Sequence, residues 1–175
     1  MEGGAGISVN PQANHRSHID TTFLLALIGA GSDAGLREDA TNFIRDWSGP
    51  RIGVSLPALG ETYLVLTGDP QLRGADPESS PYDRWLQLVQ AGMLEICWLD
   101  HLKSPQRLLT LTTCILKAMA GIEFGLTDSL IAACAVLCPT SDCLITSDKQ
   151  MLVVPHKYLK KASGKFLRLQ DSFSL

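Results

Sequence analysis

The chain has 175 residues, 45% of them hydrophobic, which is enough for one domain with a buried core and too few for two ordinary ones. Charged residues make up 19%, which excludes a highly charged disordered polymer. The net charge of −3 argues against a basic protein that coats nucleic acid. It leaves a nuclease open, because bound divalent cations locally cancel a cluster of carboxylates.

Residues 1–13 lack the basic start and apolar run of a signal peptide and read as a flexible leader, with a single domain over 14–175 and a cytoplasmic location. No stretch approaches the roughly 18 apolar residues of a membrane span. His15 to Ile19 is a short, rather polar first strand. Thr21 to Ile28 (TTFLLALI) is a helix broken by Gly29, Gly31 and Ser32. A second helix runs from Asp33 to Trp47, with Leu36, Ala40, Phe43, Ile44 and Trp47 on one face, and ends at Gly49-Pro50. Arg51 to Ser55 is a strand, and Leu56 to Leu66 a helix that carries Glu61 and tolerates Pro57 in its first turn.

Residues 68–81, rich in Gly, Pro, Asp and Ser, form a loop. Tyr82 to Ala91 returns to helical spacing, and Leu94 to Leu99 is a strand. Ser104 caps a helix that starts at Pro105 and stops near Ala120. Thr127 is expected to cap the next, from Asp128 to Leu137. Cys143 to Thr146 is a buried strand, and Phe166 to Leu169 a last one. Strands alternating with helices imply a largely parallel sheet with helices on both faces. Ligands in such folds bind beyond the carboxyl ends of the strands, where Asp20 and Asp148 fall.

Four acidic residues lie in apolar settings: Asp20 ahead of TTFLLALI, Glu61 in SLPALGETYLVL, Asp128 in GLTDSLIAACAVL and Asp148 after CLITS. Unpaired charges among core residues are expensive, so each needs a partner. Singly, each has an ordinary explanation. Asp20 and Asp128 could satisfy N–H groups at helix starts, Glu61 could pair with a buried Arg, and Asp148 could open a turn. Together they offer the several oxygen ligands that a hard divalent cation takes.

The same four contexts, in order, resemble the PIN-domain ribonucleases, in particular the VapC-like toxins of type II toxin–antitoxin pairs. The matching pieces are Ile19-Asp20-Thr21-Thr22, then IGVSLPALGETYLVL with Glu61, then Thr127-Asp128-Ser129-Leu130-Ile131-Ala132-Ala133, then Leu144-Ile145-Thr146-Ser147-Asp148. The resemblance covers about residues 15 to 169. The chain is longer than typical toxins of that family, around residues 68–85 and at both ends. The resemblance implies a PIN-like three-layer α/β/α fold with a central, mostly parallel sheet of four to five strands. It also implies Mg2+- or Mn2+-dependent endoribonuclease activity on RNA, with Asp20, Glu61, Asp128 and Asp148 as metal ligands. Thr146 would bond a metal-bound water or the phosphate, or serve simply as a strand-end hydroxyl. Thr21 and Thr22 are read as helix-capping. A protein antitoxin covering the acidic cleft is the implied partner. Homodimers are common in the family, and helices Thr21–Ile28 and Leu56–Leu66 are candidates for a dimer face or for core.

Two other readings stay open: a catalytically silent PIN-like binding or regulatory module, and a small-molecule phosphatase or hydrolase. The latter is disfavoured because Thr22 stands where a second Asp would follow Asp20. His15, His18, His101 and His156 share no metal-ligand spacing, and His18 is expected at the surface. The five cysteines, 97, 114, 134, 138 and 143, read as buried thiols in a reducing compartment. Cys134, Cys138 and Cys143 have suggestive spacing but no well-placed fourth ligand. Lys149, Lys157, Lys160, Lys161, Lys165 and Arg168, with no acidic residue among them, form either a phosphate-attracting rim or a solvated basic tail.

Overall fold

Five short strands carry the architecture of the computed structural model, which describes residues 17–30, 33–46, 51–68, 81–97 and 104–171. They are β1 Ser17–Ile19, β2 Ile52–Ser55, β3 Leu94–Cys97, β4 Cys143–Ile145 and β5 Arg168–Gln170. All four pairings are parallel and the order is β3-β2-β1-β4-β5. Every residue of β1, β2 and β4 is buried, as expected of central strands covered on both faces. Helices flank the sheet in the three-layer α/β/α arrangement expected from the sequence.

The helices are α1 Thr21–Leu27, α2 Ala34–Asp46, α3 Leu56–Gly68, α4 Pro81–Gln90, α5 Pro105–Ala118, α6 Leu126–Leu137 and a single turn, α7 Lys149–Leu152. Gly29, at φ 77°, ends α1 in a conformation that glycine adopts without a steric penalty. Ser104 caps α5 and Pro105 opens it, as predicted. α6 begins two residues earlier than predicted. Its cap is Gly125 rather than Thr127, and Asp128 at the third position reaches back to the Gly125 N–H at 2.8 Å. Neither α7 nor the 3-10 turn His156–Leu159 was expected. The last strand lies at 168–170 rather than 166–169. The predicted leader, His15, His101, Trp47, the Gly49-Pro50 break, residues 69–80 of the loop and Trp98–Leu99 lie outside the described residues.

The core joins Ile19, Ile52, Val54, Leu144 and Ile145 of the sheet to Phe23, Leu24 and Leu27 of α1, Ile115 of α5 and Ile131 of α6. α1 is therefore core. α3 exposes Tyr63 (60%) and Leu64 (68%) and retains a candidate contact face. An apolar groove beside it is lined by Ile28, Leu56, Leu59, Tyr63, Leu66 and Trp85. Lys161 fits neither the phosphate-attracting rim nor the solvated tail offered for the basic segment. It is buried, and its ammonium donates to the carbonyls of Cys138, at 2.5 Å, and Ser141, tying the end of α6 to the approach to β4. Burial lowers its pKa. No helix among the described residues is long and apolar enough to cross a membrane.

Strand order places the site. From β1 the chain moves outward through β2 and β3, then returns to lay β4 and β5 on the other side of β1. The order reverses between β1 and β4, and open parallel sheets bind ligands at the carboxyl edge of such a reversal. Asp20 follows β1, and Thr146 follows β4.

Candidate functional site

Backbone hydrogen bonds continue the ladder past both strand ends. Asp20 N–H donates to Ile145 O at 3.1 Å, and Thr146 N–H to Gln170 O at 2.7 Å. These bonds hold the side chains of Asp20 and Thr146 together although 126 positions separate them in sequence. Thr146 Oγ1 donates to Asp20 Oδ2 at 2.5 Å and accepts from Asp148 N–H at 3.1 Å. The other Asp20 oxygen, Oδ1, accepts from Phe23 N–H at 2.9 Å and caps α1. Asp148 Oδ1 caps α7 through Gln150 N–H at 2.8 Å.

Asp20 is only 3% exposed. Burial raises its pKa from 3.8 to about 6, against the lowering effect of the Phe23 and Thr146 hydrogen bonds. The charges of Asp148 and Glu61 push it further up. Those two carboxylates are therefore close enough to be felt at Asp20.

Glu61 is joined to the same edge by a residue read from sequence as a capping threonine. Thr21 Oγ1 donates to Glu61 Oε2 at 2.5 Å across 40 positions, so α3 is linked to the first residue of α1. Thr21 follows Asp20 directly, which makes Asp20, Thr21, Glu61, Thr146 and Asp148 one connected group. Asp128 differs. Its carboxylate bonds Gly125 N–H, and among the described residues no hydrogen bond joins it to the other three acids. The ordinary explanations thus hold in part. Asp20, Asp128 and Asp148 all cap helices, while Glu61 meets a hydroxyl rather than an Arg.

The donor set suits a hard cation, since it is all oxygen and carries mutually repelling charge. No three of these carboxylates bring oxygens within 4.8 Å of one another. That spacing fits an ion such as Mg2+ held by one or two carboxylates with water filling the remaining positions.

Thr146→Val tests the bridging hydroxyl. It keeps the shape of a fully buried side chain and removes the bond that lowers the Asp20 pKa. The midpoint of the Mg2+- or Mn2+-induced rise in Tm should move about 10- to 100-fold higher in metal at pH 7, the usual cost of deleting a residue that orients a ligand. Raising the pH should recover part of the loss. An unmoved midpoint would leave Thr146 as a strand-end hydroxyl only.

His18 and the cysteines depart from expectation. His18 is fully buried in the central strand rather than at the surface. Its Nε2 lies 3.2 Å from Cys97 Sγ. Cys97, Cys134, Cys138 and Cys143 are buried as predicted, and Cys114 partly so. Among the described residues, the set with metal-ligand proximity is His18, Cys97 and Cys138, not Cys134, Cys138 and Cys143. No sequence spacing signals it, because its members come from β1, β3 and the end of α6.

No family model matches the chain, and neither does any curated protein. Among solved structures the fold is similar to a chain in the crystal structure of VapBC2 from Rickettsia felis bound to a DNA fragment from their promoter. The TM-score is 0.54 at 14% identity, over 89% of this chain and 98% of that one. At that identity the likeness concerns the fold.

Proposed function

We propose that this chain is a divalent-metal-dependent endoribonuclease, the toxin of a toxin–antitoxin pair. The observation that carries the reading is the buried Asp20 carboxylate at the sheet's reversal point, bonded by Thr146 and acted on by the charges of Glu61 and Asp148. The ordered motifs of the PIN-domain ribonucleases and the fold shared with a chain of the VapBC2 complex support it.

In this reading one or two of Asp20, Glu61 and Asp148 would bind Mg2+ or Mn2+ directly and the rest through water, and Asp128 would join them by releasing Gly125 N–H. When bound there, such an ion would supply Lewis-acid activation of water and of the scissile phosphate. Thr146 fixes the orientation of Asp20, and Thr21 fixes that of Glu61. The N–H groups of Phe23 and Gln150 hold Asp20 and Asp148 in place, so little reorganisation is needed when the cation and phosphate arrive. A protein antitoxin would cover the acidic edge, with an arginine pairing the carboxylates.

The test is cleavage of structured and single-stranded RNAs by the purified chain with Mg2+, with Mn2+ and with excess chelator. Cleavage that requires the metal is expected. Absence of metal-dependent cleavage across the panel, with the fold intact, would favour a catalytically silent module.

A further inference from the structure

We propose that His18, Cys97 and Cys138 form a buried zinc site behind the acidic edge, separate from the carboxylates. One donor atom from each of these three residues lies within 4.8 Å of the other two, and all three residues are buried. Sheet register explains how they meet. His18 is in register with Gly53, and Gly53 with Glu95, so Cys97, two residues after Glu95, faces the same side of the sheet. Gly53 has no side chain, which opens space on β2 between the imidazole of β1 and the thiol of β3, beside Ser55, the residue in register with Cys97. The third donor comes from the C-cap of α6, whose carbonyl is held by Lys161.

The donor chemistry selects the ion. One imidazole nitrogen and two sulfurs are soft to borderline ligands and suit zinc rather than magnesium. Zinc bond lengths of about 2.3 Å to sulfur and 2.0–2.1 Å to nitrogen place tetrahedral N and S ligands about 3.6 Å apart. The observed His18–Cys97 separation of 3.2 Å requires an opening of only a few tenths of an ångström.

Charge is the deciding consideration. Zn2+ displaces one proton from each thiol and gives a complex with two thiolates and a neutral imidazole, of zero net charge. A buried site tolerates that, whereas a monovalent ion on the same ligands would leave a buried negative charge. An ion there would tie β1, β3 and α6 together two residues from Asp20.

The test uses the full chain, purified under reducing conditions, with Mg2+ in excess to occupy the carboxylates. Zn2+ titrated against a chromophoric chelator should give one tight equivalent per chain. Co2+ in its place should give a near-ultraviolet thiolate charge-transfer band, which carboxylate ligands cannot produce. Cys138→Ala, at a helix end, should abolish the band and weaken zinc at least about 100-fold, beyond the loss typical of residues outside the ligand set. Asp20→Asn should keep both signals, which separates this site from the proposed nuclease centre. Absence of the Co2+ band in the parent chain would overturn the proposal without any variant. So would zinc binding unchanged in folded Cys138→Ala.

Discussion

Asp20→Asn is expected to lower metal-dependent RNA cleavage by on the order of 10²–10³-fold or more, the scale of removing one preorganised electrostatic group. The fold should survive. Asn keeps the oxygen that caps α1 through Phe23 N–H. Its amide can donate to Thr146 Oγ1, which has acceptor capacity beyond the bond it takes from Asp148 N–H. The substitution also removes a carboxyl that burial disfavours in its charged form. Two changes should therefore appear together in metal-free and metal-loaded melts at pH 7. The apo variant should be at least as stable as the parent, and the Tm rise with Mg2+ or Mn2+ should shrink sharply. Cleavage at the parent rate by the folded variant would remove Asp20 from the site. Loss of cleavage with an unchanged metal-induced Tm rise would assign Asp20 to chemistry and the metal elsewhere.

The second large effect concerns pH. The Asp20 carboxyl moves from 3.8 to about 6 on folding, so between these values the folded state holds a proton that the unfolded chain has lost. Stability from this group is complete below about 3.8 and declines as pH rises toward 6, by about 3 kcal/mol in all. Ordinary salt-bridged carboxylates give the opposite slope. The quantity to measure is the difference in unfolding free energy between parent and Asp20→Asn, in chelator, from pH 4 to pH 7, because subtraction removes the other titrating groups. The parent should lose ground to the variant as pH rises. Saturating Mn2+ should reverse that trend, since the cation takes the place of the proton. Parallel curves for the two proteins would mean that the carboxyl titrates normally.

Much of the fold was legible because its long elements are periodic. The helices near residues 34–46, 56–68, 105–118 and 126–137 were each expected within a few residues. The runs at 51–55 and 143–146 read as strands, the second as a buried one, and both are buried in the sheet at 52–55 and 143–145. Short polar elements left no such trace. α7, four residues among lysines, has too few turns to show a period, and the 3-10 turn at His156 is likewise brief. Thr127 was preferred as a cap because threonine commonly fills that role. Gly125 took it because Asp128 could reach back to its N–H.

The candidate site was legible as a list of carboxylates and not as a network. Asp20 and Asp148 stood at strand ends, which alternation reveals. Their link through Thr146, and the link of Thr21 to Glu61, join positions 126 and 40 apart and depend on sheet order. His18 was misplaced at the surface because a three-residue strand with Ser and His reads as polar, although parallel neighbours on both sides bury it. The same strand order carried Cys97 toward His18, which spacing along the chain could not suggest.

The brevity of β1 sets how chain length can vary in this protein. Ser17 to Ile19 is paired residue by residue with β2 on one side and β4 on the other, and it delivers His18 to one cluster and Asp20 to the other. Adding or deleting one residue between Ser17 and Thr21 would move side chains to the opposite face of the sheet and displace both clusters at once. A residue inserted ahead of Ser17 leaves that pairing untouched. Peptide tags belong upstream of this strand, because the three residues act as a fixed gauge block between the two clusters.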